Sequence, residues 1–341
     1  MKVIVTHCFI VVFALCVSAQ DLDLYRAREY GALARECLRV VDQNGIPVAG
    51  ATIWGGLQTG GNLRDFTPIS GVTDTNGEYV IQGKCTNRIR CDITKTGYYR
   101  SEFLLTNYGY SHGVKEGKWQ PHGNKHTIVL KKRVNSGKFA VPNKRKHISW
   151  GIPLYDKWLG FDLEKFDWCK PYGIGIHEDV LLYFTRSKKS NSVFRFTMDV
   201  SFTNNLFAGA YIMKKDLSSD LKTQNLANTN ETFQSMFRYV RERNENGKRT
   251  MIWLNENEYL VFRTRTTVED GKLNYAHYGC IQGEWSPDLD SMNLEDGCFN
   301  STPNNASIED GFYLRNTVRG YAEHEKHIDQ QKGQNQWLNC K

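Results

Sequence analysis

Leu38-Arg39-Val40-Val41-Asp42, Gly45-Ile46-Pro47-Val48-Ala49-Gly50-Ala51-Thr52-Ile53, Val72-Thr73-Asp74-Thr75-Asn76-Gly77-Glu78-Tyr79-Val80-Ile81 and Lys95-Thr96-Gly97-Tyr98-Tyr99 are short apolar runs separated by turn residues. Runs of this length, punctuated this often, predict a small antiparallel β-sandwich. Asp42-Gln43-Asn44-Gly45 and Asp74-Thr75-Asn76-Gly77 each place Asn-Gly between β-prone segments. That pair predicts a hairpin, because both residues tolerate the positive φ of primed turns. Thr127-Ile128-Val129-Leu130 supplies a last strand, while the Gly-rich stretches from Gly55 to Gly71 and from Tyr108 to Gly123 read as long loops.

These pieces, read as V-x-D-x-x-G-x-P-V-x-G-A-T-I, T-D-x-x-G-x-Y-x-I and K-x-G-Y, resemble the carboxypeptidase regulatory-like domain. That domain is a transthyretin-like or immunoglobulin-like β-sandwich appended to many secreted proteins. The resemblance covers residues 37–131 and implies an accessory module rather than a catalytic one. The layout as a whole is similar to two-module secreted bacterial proteins.

Lys2, the apolar run from Val3 to Val17 and the small-residue site Val17-Ser18-Ala19 predict a signal peptide over residues 1–19. The expected location is therefore secreted, extracellular or at the cell surface, with the periplasm as a variant. No other segment reaches the roughly 18 apolar residues of a membrane span, so no transmembrane segment is expected. Beyond the signal lie seven cysteines: Cys37, Cys85, Cys91, Cys169, Cys280, Cys298 and Cys340. Cys85–Cys91 and Cys280–Cys298 are the preferred disulfides, because each pair is close in the chain around a turn-like segment. Seven is odd, so at least one is free or pairs between molecules, and connectivity stays open on sequence alone; the alternative is that several are buried free thiols acting as small hydrophobes.

The 341 residues are 40% hydrophobic and 12% aromatic, an ordinary globular composition of a size suited to two domains. A short N-terminal segment, 20–36, leads into the first domain. Residues 131–146 hold seven basic side chains and no acidic one, so 132–146 is read as a solvated linker. A net charge of +7 is too small to argue for a nucleic-acid partner.

Residues 147–341 form the second domain, again dominated by period-two alternation. From Phe194 to Phe202 every even position is large and apolar and every odd one polar, the pattern of a strand with one wet face. Leu260 to Arg265 give a weaker version. Glu269-Asp270-Gly271-Lys272 predicts a hairpin, further strands are expected at 178–186, 207–213 and 250–254, and 231–243 is open between strand and helix. The fold class is thus mainly β: an N-terminal immunoglobulin-like antiparallel β-sandwich followed by a larger antiparallel β-sandwich or jelly-roll-like domain.

The candidate ligand site is the aromatic and acidic cluster Trp150, Tyr155, Trp158, Asp162, Glu164, Trp168 and Tyr172. Flat aromatic faces beside carboxylates hold sugars, so polysaccharide or cell-envelope glycan is the expected partner; the competing reading is that these rings fill the core of the second domain. The runner-up is a glycoside hydrolase using acids of residues 156–167, and a third reading is a structural or adhesive surface protein. No H-E-x-x-H, G-x-S-x-G, P-loop or strand-following G-x-G-x-x-G occurs, so no metal, cofactor or catalytic residue is assigned. His324 and His327 are read as part of a charged tail.

Overall fold

The computed structural model describes residues 22–61, 65–106, 113–134, 137–141, 149–202, 206–255, 257–282, 286–287, 290–294 and 297–309. The predicted signal peptide, the tail with His324 and His327, Cys340 and part of the basic run lie outside the described residues. The fold is mainly β, with several antiparallel sheets. The chain divides into two compact units, Met1–Arg133 with Leu217–Asp220, and Val134–Asp216 with Leu221–Lys341.

In the first unit a helix over residues 22–30 precedes a two-sheet sandwich. One sheet is centred on Ala32–Asp42, antiparallel to Glu78–Cys85 and parallel to Asn124–Leu130. The other runs Phe66–Val72, Thr52–Gln58, Ile89–Thr94, Ser101–Leu105, all antiparallel. Alternate side chains from both sheets, among them Leu38, Val40, Ile53, Ile81, Ile89 and Ile93, meet in one buried cluster. Each contributes roughly 1.5–3 kcal/mol relative to exposure.

The residues of the three quoted motifs interlock in the turns at one end of the strands. Thr73 Oγ1 donates to Val48 O at 2.7 Å and accepts from Ala51 N at 2.9 Å, while Lys95 Nζ donates to the carbonyls of Ala49 and Gly50 at 2.9 and 3.1 Å. The P-V-x-G-A, T-D and K-x-G-Y pieces therefore satisfy one another's backbone groups.

Both expected Asn-Gly turns form, but neither is a primed hairpin. Only the glycines, Gly45 (φ +77°) and Gly77 (φ +74°), are left-handed, while Asp42 Oδ1 and Asp74 Oδ1 accept from the backbone N–H groups two and four residues on. This is a type I turn closed by a left-handed residue. The second turn joins strands of different sheets, since 66–72 pairs with 52–58 and 78–85 pairs with 32–42. The segment from Gly55 to Gly71 is largely strand rather than loop. A Cβ at Gly55 would lie 2.0 Å from Arg90 O, so this glycine permits close strand approach instead of marking a break.

The second unit has a six-stranded sheet in the order Asp167–Trp168, Trp158–Asp162, Val180–Ser190, Val193–Ser201, Met236–Arg243, Arg249–Ile252. It packs on a five-stranded sheet in the order Phe139–Ala140, Gly297–Asn300, Lys272–Gln282, Glu258–Glu269, Gly209–Lys214. Phe196, Met198, Val200 and Phe202 are buried between them, as their alternation requires. The alternation weakens at 259–262 because that strand is buried on both faces: Leu260 and Phe262 face the inter-sheet core, Tyr259 and Val261 a second cluster with Tyr211 and Tyr278. Asp270 (φ +49°) and Gly271 (φ +72°) do form the primed two-residue turn, pairing Glu269 with Lys272.

Neither expected disulfide is closed. Cys85 and Cys91 are buried thiols on strands of different sheets, pushed by burial up to about 11 and about 12. Cys280 and Cys298 are directly opposite on adjoining strands, but their sulfurs stand 3.3 Å apart, well beyond a bond of about 2.05 Å.

Candidate functional site

The seven residues expected to form one ligand platform fall into three groups. Trp150 and Trp168 belong to the inter-sheet core, each edge-on to Phe161 with ring centroids 5.9 and 5.2 Å away. The Trp168 indole N–H donates to Gly151 O at 2.9 Å. Tyr155 is half-buried beneath Arg186, whose guanidinium carbon lies 4.1 Å from the ring centroid. These three rings are committed to packing. Trp158 and Tyr172 remain open, at 48% and 46% exposure.

Trp158 owes its exposure to strand alternation: Leu159 and Phe161 point into the core, and Trp158 to the outer face. There it meets Tyr183 of the next strand, with ring centroids 5.3 Å apart. The same cross-strand row continues through Asp199 and Arg238, which form a two-pronged pair at 2.6 and 2.9 Å. Asp199 holds the Arg238 guanidinium above its ordinary range. With strands about 4.8 Å apart, the row spans about 14 Å. It offers two tilted rings followed by a fixed donor–acceptor pair, the inventory that contacts C–H faces and hydroxyls of a sugar chain. Sequence reasoning missed Tyr183, Asp199 and Arg238. Asp199 was visible as a polar position of the 194–202 alternation, but register is needed to see what it faces.

Asp162 and Glu164 are not on that surface. They converge with Asp179 on Arg265, whose guanidinium reaches Asp179 at 2.8 and 2.9 Å, Glu164 at 2.6 Å and Asp162 at 3.3 Å, above the Phe299 ring. Arg265 sits at a register shift between Thr264 and Thr267 with φ +50°, a bulge that re-aims the side chain. Burial alone would push the Asp162 carboxyl up, but the amides of Ile176, His177 and Lys165 together with Arg265 outweigh it and hold it below its ordinary value. Glu164 is likewise lowered, with burial outweighed by Arg265 and Ser301. A general acid of glycoside hydrolysis needs the opposite shift. Of the three carboxylates around Arg265, Asp179 alone is raised, by burial that exceeds the pull of Arg265.

Over this network opens a cleft of about 770 Å³ lined by Lys170, His177, Glu178, Arg265, Thr267 and Tyr275, among others. His277 Nδ1 donates to the Asn300 carbonyl at 2.9 Å, and its Nε2 lies 2.8 Å from the Tyr275 hydroxyl. The Asp162 and Asp167 carboxylates pin the neighbouring loop through the amides of Ile176, His177 and Ile174.

No protein-family model and no curated protein matches the chain. Among solved structures, 3-chlorocatechol 1,2-dioxygenase from Rhodococcus opacus is similar at 17% identity and a TM-score of 0.24, over 31% of this chain and 62% of that one. Wild-type catechol 1,2-dioxygenase from Acinetobacter radioresistens is similar at 11% identity and a TM-score of 0.23, over 31% of this chain and 53% of that one. The matched part thus spans about half to three fifths of the length of these dioxygenases. A DUF3823 family protein from Parabacteroides merdae is similar at 9% identity and a TM-score of 0.21, over 69% of this chain and 91% of that one.

Proposed function

We propose that the chain is a secreted or cell-surface, non-enzymatic binding protein whose second unit recognises carbohydrate on the outer face of its six-stranded sheet. The first unit, a β-sandwich of carboxypeptidase regulatory-like type, serves as an accessory spacer. The interlocking of its three motif pieces around Thr73 and Lys95 supports that assignment. The observation that carries the binding reading is the exposed Trp158–Tyr183 pair beside the two-pronged Asp199–Arg238 contact. Rings held on rigid strands lose little entropy on contact. The acids that a hydrolase would need are occupied by Arg265 and backbone amides, which weighs against that alternative.

The test is a glycan array with the full chain. Binding to at least one polysaccharide class is expected, with Trp158→Ala lowering it about tenfold or more, the loss of one stacking contact and its area, and an unchanged melting curve. Unaltered glycan binding in Trp158→Ala, or none by the parent protein, would overturn the proposal.

A further inference from the structure

Two hairpin ends of the six-stranded sheet lie side by side. Residues 186–195 and 241–251 together contain eight lysines and arginines and two glutamates, a local +6 in a chain whose total is +7. Register puts Lys188, Phe194, Arg243 and Arg249 in one cross-strand row over about 14 Å. Three cations of this end are neutralised: Arg186 by Asp290, Lys189 by Glu245 and Arg195 by Glu242. Among the described residues no carboxylate pairs with Lys188, Arg243, Lys248 or Arg249.

Three further observations point outward to a ligand. Arg243 and Arg249 are direct cross-strand partners, and like charges directly opposite each other destabilise a sheet. The Nε–H of Arg243 is buried without an acceptor, a donor whose desolvation is uncompensated in the protein alone. Two shallow grooves, of about 370 and 410 Å³, flank the row and share Phe194, Glu242 and Arg243.

We infer that this hairpin end is a docking site for an acidic polysaccharide, with Lys188, Arg243 and Arg249 pairing with carboxylate or sulfate groups along the polymer. This deepens the carbohydrate reading and rests on it. An elongated row with two open grooves suits an extended chain better than a single small anion. The one ring in the row, Phe194, has the Arg241 guanidinium 5.8 Å from its centroid, and a lone covered ring does not supply the stacking platforms that single-stranded nucleic acid uses. Charge concentrated at one end also speeds encounter with a polyanion, an effect that salt removes.

The test is binding of the full chain to immobilised polygalacturonate, dextran sulfate, neutral dextran and duplex DNA at low and high salt. Polygalacturonate or dextran sulfate should bind, the better of the two revealing whether carboxylate or sulfate is preferred, and neutral dextran should not need the arginines. Arg243→Ala/Arg249→Ala should weaken polyanion binding at least tenfold, and Lys188→Gln, a milder change outside the Arg243–Arg249 pair, should weaken it about threefold, neither with a lowered melting temperature. Polyanion binding untouched by these variants, absent altogether, or weaker than binding to DNA would overturn the inference. Trp158→Ala reports separately: loss of glycan binding there with no arginine dependence sinks this site and leaves the outer-face proposal standing.

Discussion

Arg265 and Arg243 belong to the same unit and face opposite electrostatic situations. Arg265 is surrounded by three carboxylates, two of them fully buried, and lies over an aromatic ring. Arg243 faces another arginine across the ladder and has a buried N–H with no acceptor. The first arrangement is saturated, and its components stabilise one another. The second is incomplete within the protein, and an external anion would complete it. Charge left without a partner among the described residues, as at Arg243, is available to a ligand, whereas the acids of 162–164 are occupied internally by Arg265 and backbone amides.

Removing Arg265 should have the largest effect. Arg265→Ala leaves Asp179 buried without its cationic partner and takes one of several partners from Asp162, and losing one partner of a buried ionic cluster costs on the order of 3–5 kcal/mol. Chemical denaturation should show that loss in the second unit's transition, without a matching change in the first. A loss of under about 1 kcal/mol would mean that the three carboxylates do not depend on Arg265.

How far the sequence reveals this contrast depends on which periodicities are local. The alternation from Phe194 to Phe202 names its own core face, because both neighbouring strands follow the same period. The Asp74–Gly77 turn is legible as a turn, yet its flanking strands part to different sheets, a choice fixed by contacts dozens of residues away. Trp150 and Trp168 stand in the candidate platform although aromatics near a domain start more often fill the core; their contacts with Phe161 decide for the core. Arg265 was visible as a polar position, but its grip on Asp162 and Asp179, 103 and 86 residues away, was not. The basic end was hidden for the same reason: each stretch is ordinary by itself until register brings 186–195 beside 241–251.

Acid titration gives an effect of intermediate size on the saturated side. Asp162 and Glu164 have folded-state values below their ordinary ones, so the unfolded chain takes up protons first. Their contribution is complete above about pH 4.5 and is lost as pH falls through the lowered values. Asp179, raised by burial, works the other way: it binds its proton first in the folded state and offsets part of the loss. Stability of the second unit should therefore fall on acidification below about pH 4.5, and Glu164→Gln, which keeps an acceptor for Ser301, should flatten that dependence. An identical pH slope in the variant would show that Glu164 is not held low by Arg265.

The smallest effect should carry the opposite sign. Arg249→Glu replaces a like-charge cross-strand contact with Arg243 by an attractive one, and pairs of this kind are worth roughly 0.2–1 kcal/mol. The variant should be slightly more stable than the parent at low ionic strength, with the advantage shrinking as salt screens the exposed pair. The same substitution should abolish polyanion binding, because it puts a carboxylate into the row that faces the polymer. A gain in stability with a loss of binding is the outcome expected where charge is placed for a ligand at the fold's expense. A loss of stability on Arg249→Glu would mean instead that the arginine serves the sheet itself, and the contrast with Arg265 would dissolve.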